Sequence, residues 1–197
     1  MKTVVLSGEK ELRIFSLPLR QRILREMSRL GTPVTAKEIA DRLGITPSSA
    51  QHHMTKLASI GLLEQDHTEL IHGIQAKFMR LTNVTVSIGQ QYADDLSSSR
   101  DAVMRRLLLD AYDGYLKAVE KARARGISEQ PGAEKYADVM SSVVHLTDEQ
   151  ANSLRDLVSD YLKNCGRAGE NTHPWEAAFL FYRMDLVESA GEGQENK

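Results

Sequence analysis

Residues 46–57 read TPSSAQHHMTKL and concentrate hydroxyl, amide, imidazole and ammonium groups in one short stretch. Two adjacent histidines, His52 and His53, raise the question of a metal site. Zinc asks for four ligands converging on one point. Successive helical residues point about 100° apart, so this pair cannot easily share an ion, and no metal is expected here. The same rotation sorts the other residues. With Ala50 as origin, Met54 and Leu57 fall within about 40° and form a packing edge. Ser48, His52, Thr55 and Ser59 lie opposite, flanked by Ser49, Gln51 and Lys56, and His53 sits at the margin of the packed edge.

The surrounding residues define the elements that must hold this stretch. SLPLRQRILREMSRLG reads as a helix opened by Pro18 and closed by Gly31, with Leu19, Ile23, Met27 and Leu30 on one face. T-A-K-E, residues 35–38, is a capping box that starts a second helix carrying Ile39, Ala40 and Leu43 inward and ending at Gly44. Thr46 then caps a third helix, with Pro47 in its first turn and Gly61 beyond its end. Two capped helices around a tight glycine turn make a helix-turn-helix pattern. Leu62–Ile71, His72-Gly73 and Ala76–Thr82 read as a two-stranded hairpin, placed as a wing after the last helix. Phe78 and Leu81 are expected to belong to the core.

Beyond the hairpin the pattern is mainly helical. From about Arg100 to Arg125, Met104, Leu108, Ala111, Tyr115, Val119 and Ala122 form one stripe, either internal core or dimer interface. A helix is expected near residues 133–145. Another begins at the T-D-E-Q box, Thr147 to Gln150, with Leu154, Leu157, Val158, Tyr161 and Leu162 inward. WEAAFLFYRMDLV reads as a late strand. The fold class is therefore mainly α, with a winged helix-turn-helix over residues 1–85 and a helical C-terminal region over 86–197.

Net charge is −2, but residues 1–85 balance at +4 and residues 86–197 at −6. The first part can face a polyanion. The polar face of residues 46–59 can donate and accept at base edges and phosphates in a major groove, against the plainer reading of a solvated helix face. Arg20, Arg22, Arg25 and Arg29 line one helix and read first as a solvated charged face. One cysteine, Cys165, gives no disulfide framework, and it reads as a free thiol. Neither a phosphate-cradling glycine loop nor a GxSxG or HExxH motif occurs, so no enzyme and no cofactor are expected. The N-terminal apolar run is too short for a signal peptide and no stretch approaches a membrane span, which makes the cytoplasm the expected location.

LPLRQRILREM, TAKEIADRLGITPSSAQHHMTKLASIGLLE and the hairpin ending AKFMRLT resemble the winged helix-turn-helix domain of ArsR-type bacterial transcriptional regulators. The resemblance covers roughly residues 9–85. HLTDEQANSLRDLVSDYL and the late strand resemble the C-terminal extension of some larger members. The resemblance implies a homodimer bound to double-stranded operator DNA, and a repressor is the expected role. The DNA-binding set is then Thr46, Ser48, Ser49, Gln51, His52, Thr55 and Lys56 on the helix, with His72, Lys77 and Arg80 in the wing. His53 matches a histidine frequent in the family's recognition helix, where its role is structural. The dimer interface would use Met104, Leu108, Ala111, Tyr115 and Val119, and a small-molecule effector could occupy a pocket between the C-terminal helices and strand. The family's metal-sensing members need cysteines where this chain reads AKEIADRLG, or Asp and His pairs where residues 86–125 hold no His or Cys. Metal sensing at those positions is not expected. A winged-helix protein-interaction module without specific DNA binding is the competing function.

Overall fold

Thr35 opens a helix with both halves of its capping box formed. Its Oγ1 accepts the Glu38 amide at 3.2 Å, and the Glu38 carboxylate accepts the Thr35 amide at 2.7 Å. Such reciprocal caps satisfy amides that have no partner inside a helix. They start α3 (Ala36–Leu43), which stops at Gly44 with φ 67°, a left-handed conformation that glycine adopts without steric penalty. Before it, α2 (Pro18–Leu30) starts on a proline and ends at Gly31, also at φ 67°. After it, α4 (Pro47–Ser59) is capped by Thr46 Oγ1, which accepts the Ser49 amide at 3.2 Å.

The computed structural model describes residues 2–6, 8–71, 73–82, 84–88, 94–127, 136–165 and 168–188. Two further elements precede α2: β1 (Lys2–Val5) and α1 (Glu9–Phe15). The hairpin is β2 (Leu63–Ile71) paired antiparallel with β3 (Ile74–Leu81), followed by β4 (Val84–Ser87), which pairs parallel with β1. Then come α5 (Ser97–Ala124), α6 (Asp148–Asn164) and a short α7 (Asp185–Glu188). The expected winged helix-turn-helix with C-terminal helices is the architecture found.

One apolar nucleus joins these elements. Ile23 and Met27 from α2, Ile39 and Ala40 from α3, and Ala50, Met54 and Leu57 from α4 are each at most 1% exposed. Leu12 and Phe15 of α1, with Leu6, Leu62 and Leu63, close around them. The wing is tied in by Val34, which exchanges two backbone hydrogen bonds with Met79 at 2.9 and 2.8 Å. The strand β4 straddles residue 85, and Val103 of α5 joins the same nucleus. Beside it, Arg100 is 1% exposed and holds Asp94 through two hydrogen bonds of 2.6 and 2.8 Å.

Several expectations fail where an apolar pattern found nothing to pack against. Residues 136–147 carry no helix, although 133–145 was expected to form one; residues 133–135 lie outside the described residues. A short helix with no buried face is marginal in water, and Val139, Val143 and Val144 stay exposed. The late strand is also absent: residues 172–183 are irregular, and 185–188 turn helical. An extended run becomes a strand only when an edge is available to pair with it. The effector pocket expected there therefore has no strand to form it. Helix α6 is present and boxed by Thr147 and Gln150, but Leu157, Tyr161 and Leu162 point to solvent rather than inward.

Two smaller corrections concern single side chains. Arg20 does not belong to a solvated face; it is only 9% exposed. Phe78 is half-buried and stacks on His67, with ring centroids 4.4 Å apart, instead of entering the core.

Truncating Met54 to Ala should destabilise the fold by about 2–5 kcal/mol, because a sealed methionine leaves a cavity. Thr35→Ala should cost about 1 kcal/mol through the lost cap. Urea denaturation followed by circular dichroism measures both.

Candidate nucleic-acid interface

Once Ala50, Met54 and Leu57 are sealed, the rotation of α4 leaves its other edge facing out. Ser48, Gln51, His52, Thr55 and Lys56 are exposed, Thr46 is exposed at the cap, and Ser49 is half-buried. The hydroxyls and amide of this edge are poised locally. Gln51 Nε2 donates to Thr55 Oγ1 at 3.2 Å, Thr55 Oγ1 donates to the Gln51 carbonyl at 2.8 Å, and Thr46 and Ser48 hydroxyls lie 3.2 Å apart. These are exposed, weakly held bonds that a base edge can replace.

The two histidines separate as helical phase demands. Their rings meet edge-on at 79° with centroids 5.3 Å apart. His52 is exposed, whereas His53 is half-buried with Nδ1 sealed and unpartnered among the described residues. Burial pushes the His53 pKa down, with smaller contributions from the nearby Arg20 and His52 charges. Among the described residues, no group of three or more His, Cys, Asp or Glu side chains is placed to hold a metal ion. No helix among them is long and apolar enough to cross a membrane.

The wing is electrostatically mixed. Its register shifts between Gln65 and His67, a bulge that leaves Asp66 reaching two partners. Asp66 meets His67 Nδ1 at 2.7 Å and Arg80 Nε at 3.3 Å, while Glu64 meets Arg80 Nη2 at 2.8 Å. Arg80 is thereby engaged by two carboxylates. Lys77 is exposed and makes no ion pair among the described residues, and His72 lies outside them. The Asp66 hydrogen bond holds the His67 pKa above the ordinary imidazole value; desolvation opposes it, and Glu69 adds to the rise.

The arginines of α2 mostly serve the fold. Arg22 Nη2 donates to the Leu43 carbonyl at 3.4 Å, Arg29 pairs with Glu26 at 2.6 Å, and Arg25 bonds the Asp110 carbonyl at 2.9 Å and pairs with Glu176. Arg20 Nη1 donates to the Ile14 carbonyl at 2.9 Å, and Gln21 Nε2 to that of Phe15 at 2.5 Å, satisfying the end of α1. That short helix escaped the sequence reading. It places Lys10 and Arg13 beside Lys56 of α4. The signal was legible in GEKELRIF, where Leu12, Ile14 and Phe15 are buried while Lys10 and Arg13 are exposed.

On the stripe expected to form a dimer, Met104, Ala111, Tyr115 and Val119 are half-buried and Leu108 is 36% exposed. The most open apolar residues of α5 lie a step further round: Leu109 at 53%, Tyr112 at 55% and Leu116 at 46%.

An NMR pH titration should place His67 above, and His53 below, the usual imidazole value of about 6.5. Asp66→Asn should bring His67 down. The signs for stability are opposite. The raised His67 contributes stability that is present in acid and lost as pH rises through its folded pKa. The depressed His53 contributes a loss that sets in as pH falls below about 6.5.

A family model described as a helix-turn-helix domain matches residues 15–66. That segment carries α2, α3, α4 and the first residues of β2. No curated protein matches the chain. With the antiparallel wing that follows it, the match supports a DNA-binding regulator at the general level.

Proposed function

We propose that the chain is a sequence-specific transcriptional repressor of the ArsR type that binds operator DNA as a homodimer. The observation that carries this reading is the exposed polar edge of α4, set by the sealed Ala50, Met54 and Leu57 behind it. Ser48, Gln51, His52 and Thr55 offer the donors and acceptors that discriminate base pairs in a major groove, and Lys56 and Lys77 suit phosphates. Thr46 and Ser49 border this edge at the cap. Arg80 joins the contact only by leaving its two carboxylates.

Dimerisation draws support from α5, a helix of 28 residues whose Leu108, Leu109, Tyr112 and Leu116 remain exposed. A self-complementary apolar face on a two-fold axis spaces two recognition helices for half-sites about one helical turn apart. The reading gives the chain no catalytic role, no cofactor and no metal at the family's usual sensing positions. A protein-interaction module is the second reading. It is favoured by the wing, where Glu64, Asp66 and Glu69 outnumber Lys77 and Arg80.

Selection from random duplexes at moderate salt should enrich one motif. Gln51→Ala or His52→Ala should relax preference at single positions by about 1–3 kcal/mol, whereas Lys77→Ala weakens all sequences alike. An unenriched pool, with affinity indifferent to Lys77, would transfer the assignment to the protein-interaction reading. In sedimentation, Leu109→Glu with Tyr112→Glu should convert a dimer to a monomer. A promoter–reporter fusion carrying the enriched motif reads the regulatory sign, and repression is the expected outcome.

A further inference from the structure

We infer that the cleft between α1 and the C-terminal half of α4 seats a phosphate of the DNA backbone, held by Lys10, Arg13 and Lys56. This rests on the DNA-binding reading and extends the phosphate contact of Lys56 on α4 with two cations of α1, Lys10 and Arg13. The cleft has a volume of about 350 Å³ and is lined by Glu9, Lys10, Arg13, Ile14, Arg20 and Lys56. Four cations face a single carboxylate. Lys10, Arg13 and Lys56 are exposed and make no ion pair among the described residues.

The wall of the cleft holds a second, independent indication. Arg20 is 91% buried, counting from its 9% exposure, and it has no carboxylate partner among the described residues. Its Nη1 is occupied by the Ile14 and Arg13 carbonyls at 2.9 and 3.4 Å, but its Nε finds no partner among the described residues. A buried guanidinium without a counter-charge is costly, and an anion seated against Arg20 offsets that cost. The pull on Arg20 from the carbonyl end of α1 orients it but does not neutralise it.

Position ties the cleft to DNA rather than to a remote ligand. Lys56 belongs both to the cleft and to the exposed edge of α4, one turn beyond His52. A helix lying in the major groove is bordered on both sides by phosphates, and an element packed along its flank meets one of those rows. Helix α1 is such an element. The wing competes poorly for this role, because Arg80 is already engaged by Glu64 and Asp66.

The test is the salt dependence of binding to the selected duplex, for the full chain and for Lys10→Gln/Arg13→Gln, from roughly 50 to 200 mM salt. Both positions are exposed, so the variant's thermal midpoint should match the parent's. The expected result is a plot of log affinity against log salt that is shallower by about 1, the loss of one phosphate contact, with weaker binding to every sequence and an unchanged order of preference. Lys56→Gln in the same background should add little, because the phosphate is already released. An unchanged slope in a variant whose parent binds DNA overturns the clamp. In that case, saturable binding of inorganic phosphate to the DNA-free parent, lost in the variant, assigns the cleft to a free anion. A parent that selects no duplex overturns the DNA-binding reading and the clamp together.

Discussion

The packing of Ala50, Met54 and Leu57 against Ile23, Met27, Ile39 and Ala40 is the constraint on which the rest of the molecule depends. Those side chains are sealed, so α4 cannot rotate about its axis without opening a cavity and exposing apolar surface. Its rotational phase is thus fixed by burial, and the phase alone decides which polar groups stand outward. The same packing separates His52 from His53. One ring is presented to solvent, and the other is held at the edge of the core beside Arg20.

Charge in this molecule divides into cations that the fold uses and cations that it leaves available. Arg22, Arg25, Arg29 and Arg80 answer carbonyls or carboxylates of the chain itself. Arg20 caps the carbonyl end of α1 from within the core. Lys10, Arg13, Lys56 and Lys77 remain exposed without ion pairs among the described residues. A count of basic residues over residues 1–85 therefore overstates what can meet a polyanion, and it misplaces where that charge lies. The uncommitted cations cluster around α4 more than along the wing, whose bulged strand turns Asp66 onto Arg80 and His67.

The C-terminal half follows a different rule. Its helices have good local signals, including the formed Thr147–Gln150 box, yet Leu157, Tyr161, Trp175 and Tyr182 stay open to solvent. Exposed apolar surface on this scale is uncommon for a chain that acts alone. Local caps can start a helix, but the described residues of this half provide no second layer to bury its face.

Elements whose signals lie within a few residues were legible in the sequence. The proline and glycine limits of α2, the Thr35–Glu38 box, the Thr46 cap and the apolar spacing of α4 are contacts between near neighbours, so spacing alone specifies them. The exposed set Ser48, Gln51, His52, Thr55 and Lys56 followed directly from that spacing. What depended on distant partners was not legible. Strand β1 forms only because β4 pairs with it, some eighty positions later, and the aromatic run near Trp175 stays irregular because no edge among the described residues meets it. The burial of Arg20, the commitment of Arg80 and the meeting of Lys10, Arg13 and Lys56 are likewise tertiary outcomes. Helical phase is a local property that residue spacing specifies; pairing, burial and charge partnership join residues far apart and arise only when the chain folds.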